Sequence, residues 1–409
     1  MRAPPALQPF QTHLVVEKDS SRSRQLRRRL VEQLVDTRAI RSAGWRAAFE
    51  RVPRHLFVPR FELRVASGWA MIDGSRPEQR RRWLAEVYRD QPLITQRGPG
   101  DQALPTSTSS TPSVMAVMLE ALDAEPGHRV LEIGTGTGYN AALLCERLGS
   151  EHVTSIDIEE ALVEAARDRL RTAGYRPRLW VGDGFEGWAE DAPYDRIIAT
   201  CTADRIPPAW VAQLRTGGVI VAPLPGGVVR LERNRDGLVS GRFLPEALGF
   251  MDMRGHAPPR PPVAELMELV GRPAPERTAR YDYDTLFQAG GERWPFWFLV
   301  RLLVAPFEVL FPAGPDAGGY VDLADRSWVR LGLADRRVRQ GGPRRLWDLV
   351  EDLYERWLTL GSPGRERFGL TVTLAGEHTL WLDQPDSEHR WAVPSTLLGR
   401  EADAPGPRA

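Results

Sequence analysis

Three carboxylates and three glycines carry the densest chemical signal in this 409-residue chain. The run Val130-Leu131-Glu132-Ile133-Gly134-Thr135-Gly136-Thr137-Gly138-Tyr139 reads as an apolar strand entering a glycine-rich turn and then a helix. Glycines at such a place permit a tight turn and let a ligand lie against bare backbone. The spacing of Gly134, Gly136 and Gly138 is GxGxG, which departs from the GxGxxG of dinucleotide folds. Glu132 points the same way. A carboxylate beside the loop would repel a pyrophosphate, but it suits a ligand that carries a sulfonium, an ammonium and ribose hydroxyls. S-adenosylmethionine meets that description better than NAD. Asp157 closes the next apolar run, close to the offset of about 20 residues at which an acid meets ribose hydroxyls in such folds. Asp183, in Gly182-Asp183-Gly184, closes a third run, where its side chain or neighbouring amides would hold an adenine. The expected cofactor site is therefore Glu132, Gly134, Thr135, Gly136, Gly138, Asp157, Ile158, Asp183 and Gly184. Each element taken alone has a plainer reading, a turn for the glycines or a helix cap for an aspartate; the case rests on their order and spacing together.

Residues of these kinds are brought together by alternating strands and helices. Short apolar strands are expected at Arg129 to Ile133, His152 to Ile156, Arg178 to Val181, Asp195 to Ala199 and Val219 to Ala222. Helices are expected at Tyr139 to Leu148, Ala161 to Ala173 and around Trp210 to Leu214. That pitch predicts a doubly wound α/β sheet of Rossmann-like type, in which ligands bind beyond the carboxyl ends of the strands. Ahead of it, Arg22 to Phe49 has helical spacing and leads through a Pro-bounded turn. Residues from about Ala66 to Pro105 are mixed and Gly/Pro/Gln-rich, and Ser113 to Leu122 again repeats every 3.6 residues. Behind it, Pro258 to Pro275 has a linker's composition. Beyond lies an aromatic-rich segment in which Leu346, Trp347, Val350, Leu353, Tyr354 and Trp357 share a helix face. Arg367 to Leu374 and His378 to Asp383 flank a hairpin turn. The division expected is residues 1–105 as a helical segment and approach loop, 106–250 as the cofactor-binding core, and 260–400 as a separate α+β domain for substrate recognition. Glu401 to Ala409 reads as a tail.

Bulk composition narrows the partners. Lys+Arg and Asp+Glu both number 54, so no net field gathers a polyanion, and nucleic acid is not expected as a partner. Two cysteines, Cys145 and Cys201, lack a CxxC or histidine-rich context, so neither a disulfide framework nor a metal site is expected. The N-terminus has no apolar signal core and no stretch reaches 18 apolar residues, which predicts a cytoplasmic protein without membrane spans.

Several stretches at once resemble the protein-L-isoaspartyl (D-aspartyl) O-methyltransferases: VPRHLFVP (Val52 to Pro59), TSSTPSVMAVMLEAL (Thr108 to Leu122), VLEIGTGTGYNAALL (Val130 to Leu144), GDGFEGW (Gly182 to Trp188) and APYDRIIATCTADRIPPAWVAQLRTGGVIVAPL (Ala192 to Leu224). The resemblance covers about residues 25 to 245. It implies transfer of a methyl group from S-adenosylmethionine to the carboxylate of a peptide or protein substrate bearing Asp or isoaspartate. The family's Thr-Ile-Ser-x-Pro motif falls on Thr108-Ser109-Ser110-Thr111-Pro112, which makes Ser110 the candidate catalytic residue and puts Thr108 and Ser109 on the cofactor side. The competing reading of Ser110 is a cap for the helix that starts near Pro112. The segment from Pro59 to Thr108 is longer than the compact repair enzymes need, and the chain continues well past the sheet.

That continuation, with RRLWDLVEDLYERWL (Arg344 to Leu358), RFGLTVT (Arg367 to Thr373) and LWLDQP (Leu380 to Pro385), resembles the extension of isoaspartyl-methyltransferase homologues from lanthipeptide and graspetide biosynthesis. The implied reaction is methylation of one aspartate in a cyclised ribosomal peptide, leading to an aspartimide or isoaspartate. The alternative is protein repair with an appended domain. A carboxylate with an ordinary pKa near 4 is already a nucleophile at neutral pH, which accounts for the lack of an evident His/Asp dyad. The strand Ile197-Ile198-Ala199 leads into Thr200-Cys201-Thr202-Ala203, without the Asn/Asp-Pro-Pro-aromatic motif of amino-methylating DNA enzymes. Seven of the 13 tryptophans follow Arg293; most are expected in a core, with one or two left for a peptide groove. A non-catalytic peptide binder with a vestigial cofactor fold is the third reading, and intact Glu132, Asp157 and Asp183 argue against it.

Overall fold

The computed structural model describes residues 19–65, 68–98, 104–255, 261–288, 295–304, 308–310 and 317–394. The expected tail, Trp294 and part of the expected linker lie outside these residues. The chain forms two compact units interleaved along the sequence. One takes Met1–Glu120, Thr135–Glu151 and Ala161–Pro177, and the other Ala121–Gly134, His152–Glu160 and Arg178–Ala409.

In the first unit, helix Ser21–Asp36 starts at Ser20, whose hydroxyl accepts from the Ser23 amide at 3.1 Å, satisfying one of the amides a helix start leaves open. Leu30, Val31 and Leu34 lie on its buried face. Helix Ala43–Arg51 buries Trp45, Ala48 and Phe49. Past Pro59 the expected approach loop is instead a four-stranded antiparallel sheet in the order Gly68–Asp73, Arg60–Val65, Leu93–Arg97, Pro105–Ser109, with helix Arg80–Val87 inserted. The physical cause was present in the sequence. Arg60-Phe61-Glu62-Leu63-Arg64-Val65 alternates polar and apolar residues, Phe61 and Ile72 face inward, and the Gly/Pro/Gln content nearby obscures the period of two. Helices Pro112–Leu122, Tyr139–Leu148 and Glu160–Ala173 complete the unit.

The second unit holds a ten-stranded mixed sheet. Its order is Arg390–Ala392, His378–Leu382, Phe368–Val372, Val239–Phe243, Gly227–Arg233, Leu214–Leu224, Tyr194–Ala199, Val130–Ile133, Val153–Asp157, Arg178–Val181. The last five of that order are parallel and coincide with the five strands expected from the sequence. Strand Val130–Ile133 is flanked by Val153–Asp157 on one side and Tyr194–Ala199 on the other. Chain order reverses there, as at the switch point of a doubly wound sheet. Every residue of Val130–Ile133, Val153–Asp157 and Tyr194–Ala199 is buried, in keeping with a parallel sheet closed on both faces. Each fully buried aliphatic side chain there contributes about 1.5–3 kcal/mol.

The C-terminal segment is α+β as expected, and it is joined to this sheet in a way the sequence reading did not contain. Strand Phe368–Val372 pairs antiparallel with Val239–Phe243, placing Ser240 opposite Thr371 with their hydroxyls 2.8 Å apart. A continuous apolar core runs from Leu131 and Ile133 through Phe243 and Phe298 to Trp347, Phe368 and Leu382. A second, five-stranded antiparallel sheet has the order Glu276–Thr278, Arg337–Gly341, Trp328–Gly332, Ala317–Val321, Glu308–Leu310. Within the expected linker, residues 263–270 form a helix whose Leu266, Leu269 and Val270 pack on Val321 and Trp328. Those three residues have helical spacing, which the flanking prolines masked. Trp297, Trp328, Trp347, Trp357 and Trp381 are buried and Trp391 is partly covered. Five of the described late tryptophans thus belong to the core, as expected of most of them. Among the described residues no helix is long and apolar enough to cross a membrane, and no group of three or more His, Cys, Asp or Glu is placed to hold a metal ion.

Candidate active site

The second unit brings the three expected acids to the ends of three adjacent parallel strands. Glu132 is fully buried, and Ser155 on the neighbouring strand donates to it at 2.6 Å. A buried carboxylate is costly unless hydrogen-bonded, and the Ser155 hydroxyl supplies one such bond. Asp157 is 8% exposed. It accepts from the Glu159 amide at 3.2 Å and faces the Arg254 guanidinium at 3.9 Å, while Arg254 also binds Glu159 at 2.8 Å. Asp183 accepts from the Phe185 amide at 2.9 Å and caps the short turn Gly184–Glu186. Ile158 and Asp183 both approach Gly255, where a Cβ would stand 2.9 Å from the isoleucine Cδ1 and 3.1 Å from the aspartate Oδ2.

The strand end is fixed by Thr200, which sequence reasoning passed over. Its amide donates to the Ile133 carbonyl at 2.9 Å and its hydroxyl to the Gly134 carbonyl at 2.7 Å. Gly134 has φ +97°, and a Cβ there would lie 2.8 Å from the Thr200 hydroxyl, so only glycine fits. Cys201 follows, and burial pushes its thiol up to about 12, leaving it an inert neighbour.

The first unit holds the rest of the expected set. Gly138 has φ +86°, and a Cβ on it would come 3.2 Å from that of Ala166. The Gly138 amide closes the turn on the Thr135 carbonyl at 2.9 Å. Gly136, also at positive φ, lies next to strand Pro105–Ser109: a Cβ there would stand 3.9 Å from the Thr108 carbonyl and 4.0 Å from the Ser107 hydroxyl. Thr108 and Ser107 thus lie against the glycine turn.

Ser109, expected on the cofactor side, turns its hydroxyl to Arg54. Its hydroxyl is buried and accepts from Arg54 at 3.3 and 3.4 Å. Arg54 is itself fully buried and donates to the carbonyls of Val87, Arg89, Gln91, Ser109 and Ser110 at 2.9–3.3 Å. Desolvation lowers its guanidinium to about 10, still cationic at neutral pH. Its signal in the sequence was a lone charge inside the Pro-bounded apolar run VPRHLFVP. Ser110 is half-buried, its carbonyl is held by Arg54, and its hydroxyl is bonded to no described residue. The competing reading of Ser110 as a cap is not what is seen, because the Ser113 amide at the helix start donates to Asp90 at 2.8 Å.

The donor set fits S-adenosylmethionine. Glu132, Asp157 and Asp183 at adjacent strand ends suit hydroxyl and ammonium donors, and the positive φ of Gly134, Gly136 and Gly138 keeps that turn free of side chains. A Rossmann-like sheet with a GxGxG turn at its switch point and acids at three adjacent strand ends fits the class of S-adenosylmethionine-dependent methyltransferases.

Comparison with known proteins narrows that class. The family model for protein-L-isoaspartate(D-aspartate) O-methyltransferase matches residues 70–246. The protein-L-isoaspartate O-methyltransferase of Methanothermobacter thermautotrophicus is 38% identical over 200 residues, covering 48% of this chain and 79% of the relative. That of Hyperthermus butylicus is 37% identical over 239 residues, covering 55% of this chain and 87% of the relative. A solved protein-L-isoaspartate O-methyltransferase aligns over 88% of this chain and all of its own, with TM-score 0.51 and 24% identity. That likeness speaks for the fold alone, and its span extends past the family-model match into the C-terminal segment. The chain belongs to the protein-L-isoaspartate(D-aspartate) O-methyltransferase family. It is an S-adenosylmethionine-dependent carboxyl O-methyltransferase.

Proposed function

We propose that the chain methylates the free carboxylate of isoaspartyl residues in protein or peptide substrates; its relatives are named protein-L-isoaspartate O-methyltransferases. The observation that carries the reading is the trio Glu132, Asp157 and Asp183 at adjacent strand ends beside the GxGxG turn, all inside the matched residues 70–246. In this reading Glu132 and Asp157 hold hydroxyl or ammonium groups, Asp183 and the Gly184 and Ile158 amides hold the base, and Gly134, Thr135, Gly136 and Gly138, with Thr108, are assigned to the cofactor as well. S-adenosylmethionine, when bound, supplies a methyl group on a sulfonium.

No general base is required of the chain, since the acceptor is ionised at neutral pH. The protein's task is to orient that carboxylate and strip water from it. The unengaged Ser110 hydroxyl is the donor proposed for one carboxylate oxygen, and Arg54 sets its position through the Ser110 carbonyl. The cofactor core is assigned to residues 106–250 and substrate recognition to 260–400, with the work done in the cytoplasm and polypeptide rather than nucleic acid as the partner.

A second reading is methylation of one aspartate in a cyclised ribosomal peptide. The methyl ester would make methanol the leaving group for attack by the next backbone amide, closing an aspartimide. It is favoured by the resemblance of the C-terminal segment, whose strands extend the methyltransferase sheet.

Mass spectrometry with a generic isoaspartyl peptide and a cyclised precursor in parallel separates the two. The leading reading expects a gain of one methyl (~14 Da) on the isoaspartyl peptide. A gain confined to the precursor, followed by net loss of one water (~18 Da), would replace it with the second.

A further inference from the structure

Outside the expected cofactor site, the second unit contains a cavity of about 360 Å³ lined by Phe185, Glu186, Arg205, Pro208, Ala209 and the turn Ala375-Gly376. Three distant stretches build it. Phe185 and Glu186 follow directly on the Asp183-Gly184 pair, Arg205 lies in the loop after strand Tyr194–Ala199, and the turn belongs to the C-terminal hairpin. Its size is that of a site for a small ligand or one or two side chains.

The walls are fixed. His378 ties the hairpin to the loop: its Nε2 accepts from the Ile206 amide at 2.9 Å and its Nδ1 donates to the Gly376 carbonyl at 2.8 Å. That pattern demands the neutral Nδ1–H tautomer. Gly376 sits at φ +83°, and a Cβ on it would come 3.0 Å from Pro208 Cγ. Against these walls stands one cation. The Arg205 guanidinium lies 5.4 Å from the centre of the Phe185 ring, and among the described residues no carboxylate is within ion-pair distance of it. A guanidinium laid over an aromatic ring keeps its donor edge free for a planar anion. Glu186 on the same cavity disfavours a second negative charge.

We propose that this cavity is a subsite for one carboxylate of the polypeptide substrate beyond the methyl acceptor, held by Arg205 and shaped by the Ala375-Gly376 turn. The proposal rests on the reading of the chain as a polypeptide carboxyl methyltransferase, and it gives the C-terminal hairpin a part in substrate choice. The carboxylate is supplied by an acidic side chain or by a chain terminus.

The test is fluorescence anisotropy of labelled isoaspartyl peptides on the full chain. Glu and Gln are exchanged at each position near the isoaspartate, and each peptide is made as C-terminal acid and amide. One register of Glu, or the free terminus, is expected to bind about five- to tenfold tighter than its neutral counterpart. Arg205→Ala should bring the two within about twofold, Arg205→Glu should reverse the preference, and His378→Ala should weaken it without changing binding of the neutral peptide. No preference in the native chain, or a preference that survives Arg205→Ala, overturns the proposal. Methyl transfer measured on the same peptides separates the two levels. Transfer without discrimination sinks the subsite alone, and discrimination without transfer to any peptide leaves the subsite and removes the reading on which its name depends.

Discussion

Arg54 in the first unit and Glu351 in the C-terminal segment are both closed off from solvent, and their charges are met by different means. Glu351 is neutralised by cations: Arg277 at 2.7 Å and Arg280 at 3.2 Å, with the Arg280 amide at 2.6 Å. Arg280 in turn reaches Asp352 at 2.5 Å and Glu355 at 2.9 Å, and these acids hold its guanidinium above the usual range. Arg54 has no carboxylate within ion-pair distance among the described residues. It is surrounded by five backbone carbonyls from two stretches, one of which ends at Ser110. The contrast separates two uses of a buried charge. A paired charge ties elements together and acts on stability, whereas a cation among carbonyls fixes the path of a loop and acts on geometry as well.

The two uses of a buried charge separate most clearly at Arg54. Arg54→Met strands several carbonyls without donors and should cost about 3–5 kcal/mol by urea unfolding. Arg54→Lys restores the charge without the fork, so it should recover part of that stability while kcat stays at least about tenfold low under conditions where the chain is folded. Full kcat in the lysine variant would reduce Arg54 to a structural role.

His378 is a buried group handled a third way, by staying neutral. Desolvation depresses its imidazole to about 4 from the ordinary 6.5, so the unfolded chain binds the proton more readily than the folded one. Its contribution, up to about 3 kcal/mol, is complete above pH 6.5 and is lost as pH falls toward 4. His378→Asn should flatten that dependence in unfolding curves taken between pH 7 and 4, and an unchanged slope would contradict the assignment. Glu351→Gln keeps the shape but halves the pairing, so a loss of about 1–2 kcal/mol is expected with unaltered kcat. Equal costs at Glu351 and Arg54 would erase the distinction. Ser110→Ala should change stability by less than about 0.5 kcal/mol and still lower kcat about tenfold. A variant with native kcat would remove Ser110 from the acceptor side.

What could be read in the sequence divides along physical lines. Val130 to Tyr139, Asp157 and Asp183 were legible because strand, turn and acid lie within a few residues of one another. The parallel half of the sheet shows as uninterrupted apolar runs for the same reason. Phe368 to Val372 and His378 to Leu382 were legible as a hairpin, since the alternation and the Gly376 turn are local. Their partner strand was not, because the Ser240–Thr371 contact spans 131 residues and an alternating strand does not say which edge it will join. The strands from Arg60 to Asp73 and the helix from Val263 to Val270 carried their periods in plain view but were obscured by neighbouring Gly, Pro and Gln. The lone charge in VPRHLFVP marks Arg54 as unusual, but its partners were beyond reach. Nothing near VPRHLFVP announces that carbonyls at Val87, Arg89, Gln91, Ser109 and Ser110 will converge on it. The same holds for Ser109, whose hydroxyl turned out to belong to that cage.

Carboxyl methylation of isoaspartate is the reaction proposed for this chain. Its most direct test is the initial rate of methyl transfer from S-adenosylmethionine to one peptide prepared in three isomeric forms, with L-isoaspartate, D-aspartate or L-aspartate at the same position. A base-labile methyl ester is expected on the L-isoaspartyl form, with a slower reaction on the D-aspartyl form and none on the L-aspartyl form. Transfer to the L-aspartyl form at an equal or greater rate, or to none of the three, would contradict the proposal.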